Sequence, residues 1–147
     1  MKVELKGFRE LERALAEELP KATAKNVLRR SAMLAMKRVE LRAQTLAPRD
    51  TGETAQGITT KNVKASRMPG GRYARATGIM VATGPVGREE GGKAAYQEFG
   101  TVNQPAQPFM RPAADTEGQA VINDVRSTLV EQIDKAKARI ARKLAKG

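Results

Sequence analysis

The stretch Gly87-Arg88-Glu89-Glu90-Gly91-Gly92-Lys93-Ala94 has the glycine and lysine spacing of a phosphate-binding loop, where backbone N–H groups cradle an anion and the lysine reaches its outer oxygens. Its surroundings argue against that chemistry. Ala94 stands where a metal-binding hydroxyl belongs, and Glu89 and Glu90 would face the phosphates. Tyr96-Gln97-Glu98-Phe99-Gly100 is too short to supply the long helix whose N-terminus completes such a site. The chain offers few other tools, because it has no His and no Cys. That removes the commonest general base, the thiolate nucleophile and the usual zinc ligands. Nor does a spaced Asp/Glu pair announce general acid–base work. The residues predict a non-enzyme with no cofactor and no metal site.

Charge is the other chemical property in excess. Lys and Arg number 27 against 16 Asp and Glu, a net charge of +11, which favours contact with polyanions or acidic protein surfaces. Glu40 is the lone acid between Lys21 and Arg49, and there is none between Lys135 and Lys146. The basic run from Lys21 to Arg42 reads first as the solvated side of an amphipathic helix, since no aromatic ring is interleaved to stack on bases. Nonspecific phosphate contact by that face is the alternative: a small basic DNA-binding protein. The C-terminal run can contact DNA, lie against an acidic neighbour or end as a solvated helix. Its apolar stripe through Ile140 and Leu144 favours the neighbour.

The elements that must position these groups follow from periodicity. The length of 147 residues suits one domain over 1–147, with a core over about 3–133 and a basic helical end at 134–147. Met1–Gly7 reads as a short strand. Phe8, Leu11, Leu15 and Leu19 then recur at helical spacing until Pro20. A second helix, N-capped by Thr23, carries Leu28, Ala32, Ala35 and Val39 on one face with Val27, Leu34 and Leu46 beside it, and ends before Pro48. Residues 58–65 and 76–83 have β composition, and Arg67–Tyr73 reads as a hairpin loop with a basic tip. A glycine-rich loop is expected over 84–92. The longest helix is expected to start at a capping box, Thr116 with Gln119, and to run through Val121, Val125, Leu129, Ile133, Ala136, Ile140 and Leu144. The whole reads as an α+β fold, a small antiparallel sheet packed against long helices. No apolar run is long enough for a membrane span and no leader pattern opens the chain, so it is expected to be soluble and made in the cytoplasm.

Between the sheet and the last helix lies the most distinctive segment, Tyr96 to Asp115. It holds Tyr96, Phe99 and Phe109 in a chain with only 2 Tyr, 3 Phe and no Trp, and it holds Pro105, Pro108 and Pro112 of the 7 prolines. The rings are either the largest plugs of a small core or contact residues on a stiff, partly exposed arm. Pro108 and Pro112 predict that Phe109–Ala113 is an edge strand or an extended arm.

Glu98-Phe99-Gly100-Thr101 followed by Pro105-Ala106-Gln107-Pro108-Phe109-Met110-Arg111-Pro112-Ala113 resembles the signature of a family of minor tail proteins of long-tailed bacteriophages, the neck or tail-completion proteins. Ala47-Pro48-Arg49-Asp50-Thr51-Gly52, directly after a helical stretch, resembles that family's Ala-Pro-x-Asp-Thr-Gly turn, and the opening Gly7-Phe8 with Leu11, Ile58 and Gly84 are similar to it as well. The resemblance spans residues 3 to 118. It implies a virion structural protein assembled in the bacterial cytoplasm, a homo-oligomeric ring, a hexamer, that completes the tail and joins it to the head. Its partners would be copies of itself and a tail terminator, tail tube or head-closure protein. The tape-measure end or packaged DNA would pass through the lumen. On that reading Tyr96, Phe99, Phe109 and Arg111 are interface anchors stiffened by Pro108 and Pro112, and Arg67, Arg72 and Arg75 face the lumen.

Overall fold

Two long helices form the frame of this chain because each carries an apolar stripe that a small sheet could not cover. The computed structural model describes residues 8–49, 52–68 and 78–145, and the side chains of Phe8, Leu11, Glu12 and Ala65 are not among those described. The expected strand over 1–7, Asp50 and Thr51 of the turn, and Arg72 and Arg75 of the basic loop lie outside these residues. In order come α1 (Phe8–Glu17), α2 (Lys21–Leu46), α3 (Glu53–Gly57), β1 (Ile58–Asn62), a 3-10 turn (Ala65–Arg67), β2 (Val81–Pro85), α4 (Arg88–Phe99) and α5 (Met110–Leu144). The α2–α5 pairing is the most extensive contact between elements. The α+β reading holds: helices dominate, and the sheet has two antiparallel strands.

The sheet is in register with Ile58 opposite Pro85, Thr60 opposite Thr83 and Asn62 opposite Val81. Thr60 and Thr83 share a hydroxyl hydrogen bond of 2.8 Å across the pair, a cross-strand contact that fixes the register. β1 lies on α2 through two polar ties. Gln44 Nε2 donates to the Ile58 carbonyl at 2.9 Å, and the Thr60 N–H donates to the buried Glu40 carboxylate at 2.8 Å. Burial alone would raise the Glu40 pKa, but the hydrogen bonds from Lys37 and Thr60 outweigh it and hold the group below the usual carboxylate range.

Two apolar clusters fill the space between the layers. The first gathers Ala35, Val39, Ala43 and Ala47 of α2 and its end with Ile58, Ala94, Phe109, Ala113 and Val121. The second joins Leu19 and Val27 to Leu129, Ile133 and Ala136. So many alanines let the helix backbones approach closely, and among the described residues Phe109 is the one aromatic ring of the first cluster. Arg38 spans the long helices, donating to Asp124 at 2.9 Å and lying 3.6 Å from Glu117.

Several boundaries differ from expectation. α2 starts at Lys21, two residues before Thr23, with Pro20 at its N-cap, where the fixed φ of proline suits a helix entry and the N–H that proline lacks is not needed. Its buried stripe is Val27, Ser31, Ala35, Val39 and Ala43, so Leu28 and Ala32 are only half-buried and Leu34 and Leu46 point outward. The strands are shorter and sit at 58–62 and 81–85. The glycine-rich loop shrinks to Val86 and Gly87, because α4 begins at Arg88 and takes Gly91 and Gly92 into its interior. Packing of Ala94 and Glu98, one turn apart on its buried side, overrides the poor helix propensity of those glycines. α5 begins at Met110, two turns before Thr116, whose hydroxyl bonds back to the Pro112 carbonyl inside the helix.

Candidate interaction surface

The start of α5 needs a cap that its own residues cannot supply. The residue before its first turn is Phe109, with φ −134° and no side-chain capping bond, so the first N–H groups of the helix are left as orphan donors. The partner comes from the last turn of α4. Glu98, buried, accepts hydrogen bonds from the backbone N–H of Phe109 at 2.7 Å, of Met110 at 2.9 Å and of Arg111 at 3.1 Å. Arg111 closes the clamp, with Nε donating to the Glu98 carboxylate at 2.9 Å and a guanidinium N–H donating to the Glu98 carbonyl at 3.0 Å. A carboxylate at a helix N-terminus also meets the positive end of the helix dipole. Burial alone would raise the Glu98 pKa. The backbone donors at Phe109 and Met110 and the Arg111 side chain more than reverse that, bringing it to about 2.

This clamp ties the two ends of a loop and forces its middle outward. Gly100 turns the chain at the end of α4 with φ +75°, its N–H bonded to the Tyr96 carbonyl at 2.8 Å. Thr101 and Gln104 then pair across a tight turn at 2.8 and 3.3 Å, and the Gln107 N–H donates to the Gln97 carbonyl at 2.7 Å. Residues 101–108 are all exposed. At the tip Val102 is 104% exposed, with Phe99 at 69% and Tyr96 at 61% below it. The Arg111 guanidinium lies 5.0 Å from the centre of the Phe99 ring, a cation–π contact that holds the ring without covering it. The end of α4 and the pinned loop after it thus expose three apolar side chains, an apolar knob.

Gly100 is the backbone position on which the turn depends. A Cβ there would stand 2.8 Å from the Ala106 nitrogen and 2.9 Å from the Gln104 oxygen, and the positive φ disfavours any side chain. Gly100→Ala should therefore cost about 2 kcal/mol and loosen the loop. Faster amide hydrogen exchange at Thr101, Gln104 and Gln107, with α2 unchanged, would report it. Unchanged protection at all three would show that the turn does not need glycine.

Of the anchors expected from the sequence, the structure keeps Tyr96 and Phe99 on the surface and places Arg111 beside them, bonded to Glu98. Pro108 is exposed in the loop. Two expectations fail. Phe109 is 0% exposed, packed in the first apolar cluster, so its ring is not an interface anchor within this chain. Residues 110–113 are neither strand nor arm but the first turn of α5, where Pro112 costs nothing because N–H groups there have no helical partner. Residues 105–109, which lead into α5, have no regular secondary structure. Val102 was missed, its only signal being one aliphatic residue within the polar run Thr101-Val102-Asn103-Gln104. Of the arginines expected at a lumen, Arg67 is exposed in its 3-10 turn.

No family model, curated protein or solved structure matches the chain. The reading of this surface rests on its residues. Gly52, which closes the Asp-Thr-Gly block, is the N-cap of α3 and has φ +77°, the left-handed conformation that favours glycine. Among the described residues no cluster of potential metal ligands occurs, and no helix is long and apolar enough to cross a membrane.

Proposed function

We propose that this chain is a structural protein of a tailed-phage virion, a ring-forming tail-completion or neck component that joins the tail to the head and acts by contact, without catalysis. The two sequence blocks that resemble such proteins supply the identity of the assembly. The observation that carries the contact role is the knob of three exposed apolar side chains, Tyr96 and Phe99 in the last turn of α4 and Val102 in the loop after it, which is held at both ends. An apolar projection of this kind is expected to be buried on assembly. Because its geometry is set in advance, ordering it against a neighbour costs little entropy. A head-to-tail contact repeated around an axis closes a ring when its rotation closes.

Light scattering on the purified chain, alone and mixed with tail-tube, terminator or head-closure proteins, tests the proposal. Concentration-dependent assembly is expected for the wild type. Val102→Asp should weaken it by about thirtyfold, as loss of a central apolar contact would, while shifting the folding stability by no more than about 0.5 kcal/mol, since the side chain touches nothing in the monomer. A strict monomer that binds none of these partners would count against the ring. A steep loss of DNA affinity with salt, unaffected by Val102→Asp, would instead favour a small basic DNA-binding protein.

A further inference from the structure

Away from the knob, residues of α2 and α5 line a groove of about 580 Å³. On α2 its wall is made by Thr23, Asn26, Val27 and Arg30, which share one helix face by their spacing. On α5 the facing wall is built the same way around Ala136, Arg139 and Lys143. Val27, Ala136 and Ile140 give the lining an apolar floor, and the cations stand along its edges. Lys135 at the edge is already paired with Glu131. Among the described residues Arg30, Arg139 and Lys143 have no ion-pair partner.

The chain shows how the adjoining flank of the same helix pair is covered. Residues one position on, Leu28 and Lys137, face about a quarter-turn away from Val27 and Ala136. There α1 lies against the pair, with Ala14 and Leu15 packed, as Leu28 and Ile140 are, against the cluster of Leu19, Val27, Leu129, Ile133 and Ala136. Glu18, just past the end of α1, forms an ion pair with Lys137. An amphipathic helix with apolar residues inward and an acid on a cation of α5 thus occupies one flank. The groove repeats that pattern of apolar floor and cationic edge with nothing on it from the described residues.

The geometry points to this groove as the docking site of an acidic amphipathic helix from a partner protein. Charge complementarity selects an acidic segment, because three cations without an ion-pair partner among the described residues line a space that no described acid lines. The apolar floor selects an amphipathic protein segment over nucleic acid. Phosphates gain nothing from Val27, Ala136 and Ile140, and no aromatic ring in the groove can stack a base. A helix laid between two helices reads such a surface with apolar side chains at i, i+3, i+4 and i+7. This site is independent of the ring proposal, because it shares no residue with the knob.

The test uses the full chain and a fluorescent peptide of about 18 residues, five helical turns, built from Leu, Ala and Glu with the leucines at that spacing. A scrambled peptide of the same composition and a single-stranded and a duplex DNA of similar length are titrated alongside by fluorescence anisotropy. The patterned peptide should bind and shift the amide resonances of residues 23–30 and 132–143. The double variant Arg30→Glu, Arg139→Glu should weaken it about tenfold or more, whereas reversing Lys61, a cation on β1 outside the groove, should change it less than about twofold. Circular dichroism checks that the variants fold. Equal binding of the scrambled peptide would overturn the proposal, as would indifference to the double reversal. Tighter binding of DNA than of the peptide at about 0.15 M salt, with a steep salt slope, would assign the groove to polyanions instead.

Discussion

Glu98→Gln should destabilise the protein by about 3 kcal/mol, a large fraction of the total for a domain of this size. The carboxylate receives three backbone N–H groups and the Arg111 side chain. Gln keeps the shape but offers one acceptor oxygen and turns an NH₂ group toward donors, so at least one buried donor loses its partner. The effect should vary with pH. The folded-state pKa of about 2 lies below the ordinary value of 4.5, so the stabilisation is complete above about pH 4.5 and is lost as the pH falls toward 2. Linkage puts its size at about 3 kcal/mol. Glu40, also lowered, acts in the same sense, so Glu98→Gln should remove only part of the acid dependence. Urea denaturation of both proteins between pH 7 and pH 2.5 measures it. The two curves should converge at low pH, and parallel curves would show that the clamp carries no charge-dependent stability. Glu89→Gln, whose exposed side chain pairs only with Lys93 at 3.5 Å among described groups, should stay within about 0.5 kcal/mol of wild type.

The way α5 starts explains which parts of this fold could be read in advance. In the middle of α5 and in the sheet, where each element's own spacing decides, expectation and structure agree. Val121, Val125, Leu129, Ile133 and Ala136 recur at helical intervals and pack inward, and the Thr-rich segments near 60 and 83 pair as strands. Where a distant residue decides, local pattern misleads. Thr116 with Gln119 has the composition of a helix start, yet the cap is Glu98, on another helix, and no short-range rule links it to Met110. Once that cap exists the helix begins two turns earlier and Pro112 falls at a harmless first-turn position. The same non-local choice draws Gly91 and Gly92 into α4. The surface was half legible: Tyr96 and Phe99 stand out by type in a chain poor in aromatics, but which rings face outward depends on the clamp. Val102 becomes the most exposed large apolar residue among those described because the turn from Thr101 to Gln104 lifts it.

Phe109→Ala should be the most damaging single truncation, costing about 4 kcal/mol and lowering the melting temperature by about 10 °C or more. The ring is among the largest fully buried side chains and lies with Ile58, Ala94 and Ala113, residues of β1, α4 and α5. Its alanine neighbours cannot reach into the space it leaves, so the cavity stays open and the cost lies toward the high end for such changes. The position also precedes the first turn of α5, and its N–H is the closest of the three donors to Glu98, at 2.7 Å. A shift of the backbone into the cavity would therefore loosen the clamp and the Val102 loop with it. Phe109→Leu, which refills most of the volume, should recover more than half of the loss. Thermal unfolding of the three proteins measures the stabilities, and hydrogen exchange at Gln107 and Arg111 reports the clamp. Phe99→Ala is the matched comparison, because its ring is exposed: it should leave the melting temperature within about 2 °C while weakening self-association. If Phe99→Ala unfolds the protein and Phe109→Ala does not, the division between core ring and contact ring is reversed, and the knob loses its base.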